Sequence, residues 1–367
     1  MTGSITVNAE ETYYAVGSYA KVEQNGYLYY IKSNESATKG YIYSLELSTG
    51  KTKKLVTEKG WIGQLKVSGD YLYYGFSKVS GDYDSGEKRV SINGGKSKKI
   101  LDGTSIDYID DAGYIYSTTQ DVYYYDFTTK TETKIVSGYY DYIDTIDNVL
   151  YYSAADIGYV SLYSYDLSNK KWTSVAKDKK MNSRVMQLKK LGDSLYFTAG
   201  TLEGTSSAFC GSLYCINIDG KISQVAKDII SDTIHVVGDK LCYFGKDYDD
   251  NHYIYDPTTG KSTKYLLEYS DNGIEMQEIG AKTYKVDFKN SKKVTVYTYT
   301  TGTKEANLNK FTTIAYAKKS GYTYYSQIQE AGDYVLVNMM AYNSDWKFTS
   351  SKWFVVDSKG EVLAKFS

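Results

Sequence analysis

Gly69-Asp70-Tyr71-Leu72-Tyr73-Tyr74-Gly75-Phe76 is the stretch that decides the fold of this chain. Gly-Asp makes the turn, and the aromatic and aliphatic run behind it reads as a strand covered on both faces. Upstream, Gln64-Leu65-Lys66-Val67 is a shorter strand onto which the turn folds that run. Downstream, a polar stretch from Ser77 to Glu87 leads to a third strand, Lys88 to Ile92. Asn93-Gly94-Gly95-Lys96 is a hairpin turn of the kind that needs positive φ, and Ser97 to Leu101 returns as a fourth strand. The unit is therefore a four-stranded antiparallel sheet.

The unit recurs. Its turn and second strand return as Asn25-Gly26-Tyr27-Leu28-Tyr29-Tyr30, Gly113-Tyr114-Ile115-Tyr116, Asn148-Val149-Leu150-Tyr151-Tyr152, Gly192-Asp193-Ser194-Leu195-Tyr196-Phe197 and Gly238-Asp239-Lys240-Leu241-Cys242-Tyr243, with worn copies at Gly280 to Val286 and Gly332 to Val337. Turns between third and fourth strands fall near Gly50, Gly94, Lys130, Lys170, Gly220, Gly260, Gly302 and Gly360, eight in all. Repetition at this period marks a repeat architecture, and four antiparallel strands per unit mark a propeller blade. The sequence thus predicts an all-β fold, a β-propeller of eight four-stranded blades. Seven is the alternative count, because Gly321-Tyr322-Thr323-Tyr324-Tyr325 imitates a second strand out of register. Residues 1–14 are read as a tail and 15–367 as one domain, with blades at about 15–56, 57–101, 102–137, 138–177, 178–228, 229–268, 269–310 and 311–367.

Composition narrows the partners. Lys+Arg 43 against Asp+Glu 44 leaves a net charge of -1, so no global field draws in nucleic acid. No apolar run is long enough to insert in a membrane. Tyr is present 43 times, Pro once, and Arg only at Arg89 and Arg184, a bias that fits an A+T-rich bacterial genome. Tyrosine also suits stacked sheets, since its ring fills a core while its hydroxyl reaches a polar rim. Lysines gather in fourth strands, as at Lys53-Lys54, Lys98-Lys99, Lys134, Lys170-Lys171 and Lys264. There they blunt the outer edge of a blade against pairing with another chain. A monomer is expected.

The Gly-Asp strand together with Tyr253-Ile254-Tyr255-Asp256-Pro257-Thr258-Thr259-Gly260-Lys261 resembles a family of bacterial propeller domains of unknown function, described as similar to the propellers of low-density-lipoprotein-receptor-related proteins. The likeness runs over about residues 15–367. It implies an extracellular or surface-attached protein of a Gram-positive-type bacterium, with no assigned activity. Val7-Asn8-Ala9 before Glu10-Glu11 is similar to the end of an export signal. The Tyr-Trp-Thr-Asp motif of the receptor propellers is absent, which removes the ground for transferring receptor roles.

Little in the chain carries chemistry. His235 and His252 are the only histidines, and no Gly-x-Ser-x-Gly elbow accompanies them, so serine-hydrolase chemistry is unsupported. Cys210, Cys215 and Cys242 lack the paired spacing of a zinc site or a disulfide framework. No cofactor is expected apart from calcium, for which Asp82, Asp84 and Glu87 in one acidic loop and Asp247 and Asp249 in another could supply oxygens. Solvated turns are the plainer reading of both loops.

Function is expected on the top rim, where connections between second and third strands differ in length: Ser77 to Glu87, Thr198 to Gly211 and Ala341 to Ser351 are the longest. Trp61, Tyr83, Tyr139, Tyr140, Tyr159, Phe209, Tyr248 and Trp346 fall in or beside such connections and could form an aromatic platform. The expected function is a non-catalytic extracellular recognition or scaffold module that binds a glycan or a protein surface there. The alternative is a carbohydrate-active hydrolase or lyase with carboxylates around the central channel.

Overall fold

The computed structural model describes residues 21–34, 38–78, 84–138, 140–154, 159–180, 184–202, 209–230, 234–245, 252–265, 274–279, 282–301 and 308–366. They form eight antiparallel sheets of four strands, each a meander whose strands lie side by side in chain order. The strands of blades 1 to 8 occupy 21–59, 61–102, 106–137, 140–180, 184–230, 235–265, 274–315 and 323–366. First strands touch from blade to blade through blades 1 to 6 and again between blades 7 and 8, and the first strand of blade 8 (Thr323–Ala331) touches that of blade 1 (Lys21–Gln24). The fold is an eight-bladed β-propeller. Among the described residues no helix is long and apolar enough to cross a membrane.

Blade 8 carries a fourth strand of its own, Val362–Phe366, so among the described residues the ring closes by packing, with no strand borrowed from another blade. Leu28, Tyr30 and Leu45 of blade 1 bury against Leu336, Trp353 and Phe366 of blade 8, with the Tyr30 and Phe366 rings 4.5 Å apart. Comparable cores fill the seams of blades 1 and 2 around Leu72 and Tyr74, and of blades 7 and 8 around Val296 and Val337. Tyr322-Thr323-Tyr324-Tyr325, whose sequence imitated a second strand, instead leads into the first strand of blade 8.

Tyrosine does in the structure what its chemistry allows. The rings of Tyr74, Tyr116, Tyr243 and Tyr284, all in second strands, are buried between blades. Their hydroxyls reach polar groups at the rim: Tyr74 donates to Glu58 at 2.7 Å, Tyr116 to Glu132 at 2.6 Å, Tyr243 to Ser262 at 2.9 Å and Tyr284 to Glu330 at 2.7 Å. Each ring packs between sheets; the hydroxyls of Tyr74 and Tyr284 also cross to the neighbouring blade, whereas those of Tyr116 and Tyr243 bond within their own.

The outer hairpins are shaped by aspartate. Asp256 Oδ1 accepts from the Thr258 and Thr259 N–H groups at 2.9 and 3.3 Å, while its carbonyl accepts from Gly260 N, at φ 66°. Asp126 holds Thr128 and Thr129 in the same way. Such side-chain-to-backbone bonds replace those that a turn leaves unmade. Asp256→Ala is expected to cost about 1 kcal/mol, read as a lower guanidinium midpoint at unchanged slope.

Two of the long connections of the sequence reading are largely strand. The second strand of blade 5 runs Ser194–Leu202 and its third starts at Phe209; in blade 8 the second strand runs Tyr334–Tyr342 and the third starts at Phe348. The ladder extends up to Leu202 opposite Phe209 in blade 5 and to Tyr342 opposite Phe348 in blade 8.

Candidate functional site

Across the upper half of blade 2 the ladder aligns Gly63, Gly75, Glu87 and Leu101 on one row, one residue from each strand. Lys88, next to Glu87, reaches the other way to Glu58 of blade 1 at 2.9 Å, so by strand alternation Glu87 faces blade 3. The two glycines leave room on this face for a ring. A Cβ on Gly63 would strike the Trp61 indole, which lies over the bare backbone at the head of the first strand and stays 36% exposed. A bulge with Gln64 at φ 51° then turns Lys66 onto the same side.

Glu87 is fully buried. Its Oε2 accepts from Ile106 N–H of blade 3 at 3.4 Å, and Oε1 has no hydrogen-bond partner. Burial pushes its carboxyl up to about 7, against the pull of Lys66 and the Ile106 N–H, and Asp107 adds to the rise. Lys66 is lowered by burial and held up in part by Glu87 and Asp107. Asp107, exposed on the first strand of blade 3, is raised by the surrounding protein, with Ser117 and Lys66 opposing; water on its open side tempers that rise. The seam thus gathers two carboxyls and one ammonium whose charges are not paired off. Such a set can hold or move a proton near neutral pH.

The calcium residues do not assemble in what is described. Asp84 is bound by the ammoniums of Lys78 and Lys99, the latter at 2.8 Å, which holds its carboxyl at about 2. Glu87 faces the other side of the sheet. Asp82, Asp247 and Asp249 lie outside the described residues, as do Tyr83, Tyr139 and Tyr248. Tyr140 and Tyr159 begin the first and third strands of blade 4, and Phe209 begins the third strand of blade 5.

Trp61 and Trp346 are separated by blade 1. Trp346, 65% exposed, sits in the blade 8 hairpin turn with its ring 6.4 Å from Tyr325, and Tyr325 lies 5.5 Å from Tyr342. No ring contact among the described residues joins this cluster to Trp61. The two histidines meet around Phe244, 4.0 Å from the His252 ring and 6.5 Å from that of His235. Burial first, and His235 second, lower His252 to about 4, so it is neutral at pH 7.

Sequence reasoning found Glu87, for a calcium loop it does not join with Asp84, and missed Lys66 and Asp107 altogether. Gly75, which interrupts an aromatic strand, was the legible signal for a close approach at this point of the sheet.

The chain matches no protein-family model and no curated protein. Solved structures do match. The dipeptidyl peptidase 4 of Porphyromonas gingivalis aligns at TM-score 0.58 and 12% identity over 95% of this chain and 59% of its own. One of two prolyl endopeptidases, studied for inter-domain dynamics in catalysis and specificity, aligns at 0.53 and 13% over 89% of this chain and 54% of its own. A post-proline cleaving enzyme from Rickettsia typhi aligns at 0.52 and 12% over 90% and 58%. The chain therefore spans between 54% and 59% of the length of these proteins, and the likeness is one of fold. The expectation of a non-catalytic module binding a glycan or protein surface is corrected on this ground: the three structures aligned here are peptidases, nearer to the alternative of a carbohydrate-active hydrolase or lyase than to a recognition module.

Proposed function

We propose that this propeller serves a peptidase, screening extended peptides on their way to catalytic groups housed outside the eight blades. What supports the reading most is the ring itself, closed by packing and sharing its fold with peptidase propellers over most of its length. The two histidines are consistent with it, since His252 is buried and neutral and no Gly-x-Ser-x-Gly elbow occurs in the chain. Catalysis is left to a partner module, and the propeller supplies shape and polar walls. Trp61 reports on passage, because it stands half-open at the head of a first strand.

The test compares a labelled extended peptide with the same sequence held inside a folded protein, using wild type and Trp61→Phe. The extended peptide is expected to quench a Trp61 component of the emission, and the folded form is not. Equal quenching by both, or none by either, would remove the screening role. Chromogenic peptides are expected to survive incubation with the chain alone. A second reading, hydrolase or lyase chemistry within the propeller, draws on Glu87 poised near neutrality beside Asp107. Turnover by the chain alone, lost in Glu87→Gln, would favour it.

A further inference from the structure

Beyond the Glu87 row, the same seam opens as a cleft of ≈ 670 Å³ between blades 2 and 3, within the size range of small-molecule sites. Arg89 lines it. In a chain with 43 basic residues of which two are arginines, this position carries a planar fork rather than a point charge. The guanidinium lies 4.6 Å from the centre of the Tyr71 ring, and Tyr73 stands opposite Arg89 in the ladder. It is held from behind, and among the described residues no carboxylate is within ion-pair distance of it.

A second observation points the same way. In the ladder Arg89 pairs with Lys98 of the next strand, and both line the cleft. Like charges directly opposite each other destabilise a sheet, and Lys130 brings a third cation from blade 3. Lys98 too has no ion pair among the described residues. Across from Arg89 stand Tyr125 and Phe127, whose rings are 6.2 Å apart; Phe127 stacks on Tyr73 at 6.2 Å. Cations that repel one another beside an aromatic wall are what an anion with a ring attached would satisfy.

We propose that this cleft binds a small ring-bearing oxyanion, a carboxylate or a phosphate monoester, through the Arg89 fork, with the ring against Tyr125 and Phe127. Asp70 and Asp111 also line the cleft and limit its affinity. The site is independent of the peptidase reading, since it needs neither a partner module nor a peptide.

Titration calorimetry with 3-phenylpropionate, phenyl phosphate and the neutral 3-phenylpropanol tests it on the intact chain. At least one oxyanion is expected to bind, about tenfold or more tighter than the alcohol, and which one binds identifies the anion's source. Arg89→Lys keeps the charge and loses the fork, and is expected to weaken binding about tenfold. Asp111→Asn removes a repelling charge and is expected to tighten it severalfold. Unchanged affinity in Arg89→Lys with native near-ultraviolet circular dichroism, equal binding of the alcohol, or no binding of either oxyanion would overturn the proposal. Asp111→Asn keeps the question decidable if the arginine variant unfolds, because weaker or equal binding there also counts against it.

Discussion

Glu87→Gln is expected to be more stable than wild type by about 3 kcal/mol at pH 8 and about equal to it at pH 4. Burial holds the Glu87 carboxyl at about 7 in the native state, above the ordinary 4.5 it regains when the chain unfolds. Below that ordinary value both states are protonated and the native fold bears no cost. Between it and about 7 the native state keeps a proton that the unfolded state gives up, so stability falls as pH rises, and above 7 the loss levels off.

Glutamine stays neutral throughout. Like the protonated acid, it accepts from Ile106 N–H and places a donor where the unpartnered Oε1 sits. The groups facing the carboxyl are Lys66 and Asp107. Lys66 already offsets part of the burial cost, and Asp107 is itself raised, so its own protonation acts in the same direction as that of Glu87. The difference between variant and wild type isolates the Glu87 contribution from the other titrations. It is read from guanidinium midpoints at the two pH values. A constant difference at both would mean that Glu87 is paired and ionised in the native state.

Tyr74→Ala is expected to cost about 4 kcal/mol, and Tyr74→Phe about 1 to 2. The ring is fully buried among Leu72, Phe76 and Val90 of its own blade and Ile42 and Val56 of blade 1. Alanine leaves a cavity in a seam made of two rigid sheets, which cannot collapse into it. Phenylalanine keeps the packing and loses only the hydroxyl, which lies 2.7 Å from Glu58 Oε1 and 2.6 Å from Ser97 Oγ. Glu58 retains Lys88 at 2.9 Å, which limits that cost. Denaturant midpoints of the two variants separate the ring from its hydroxyl. A loss in Tyr74→Phe as large as that in Tyr74→Ala would show that the hydrogen bond, not the seam, carries the stability.

Blade number was legible because each unit repeats one local code: a positive-φ turn, a two-faced aromatic strand, an aspartate hairpin and a lysine-rich edge. All four depend on neighbours in sequence, and Asp256 with Gly260 shows the hairpin part at atomic detail. The long rim connections misled because sequence marks polarity, not pairing. Leu202 and Phe209 belong to a ladder that a polar stretch concealed.

The sequence by itself determined the unit and the use of tyrosine and narrowed the blades to eight or seven, since period, turn chemistry and amphipathic rings act within a few residues of one another; the structure decided eight. Only the tertiary structure decided which side chains share a seam. Lys66, Glu87 and Asp107 come from three strands of two blades, and Arg89 meets Tyr125 and Phe127 only when those blades stack. Desolvation is the physical reason. The pKa of Glu87 and the half-buried fork of Arg89 are set by what the neighbouring sheet covers, and no local pattern states which sheet face will be covered by what.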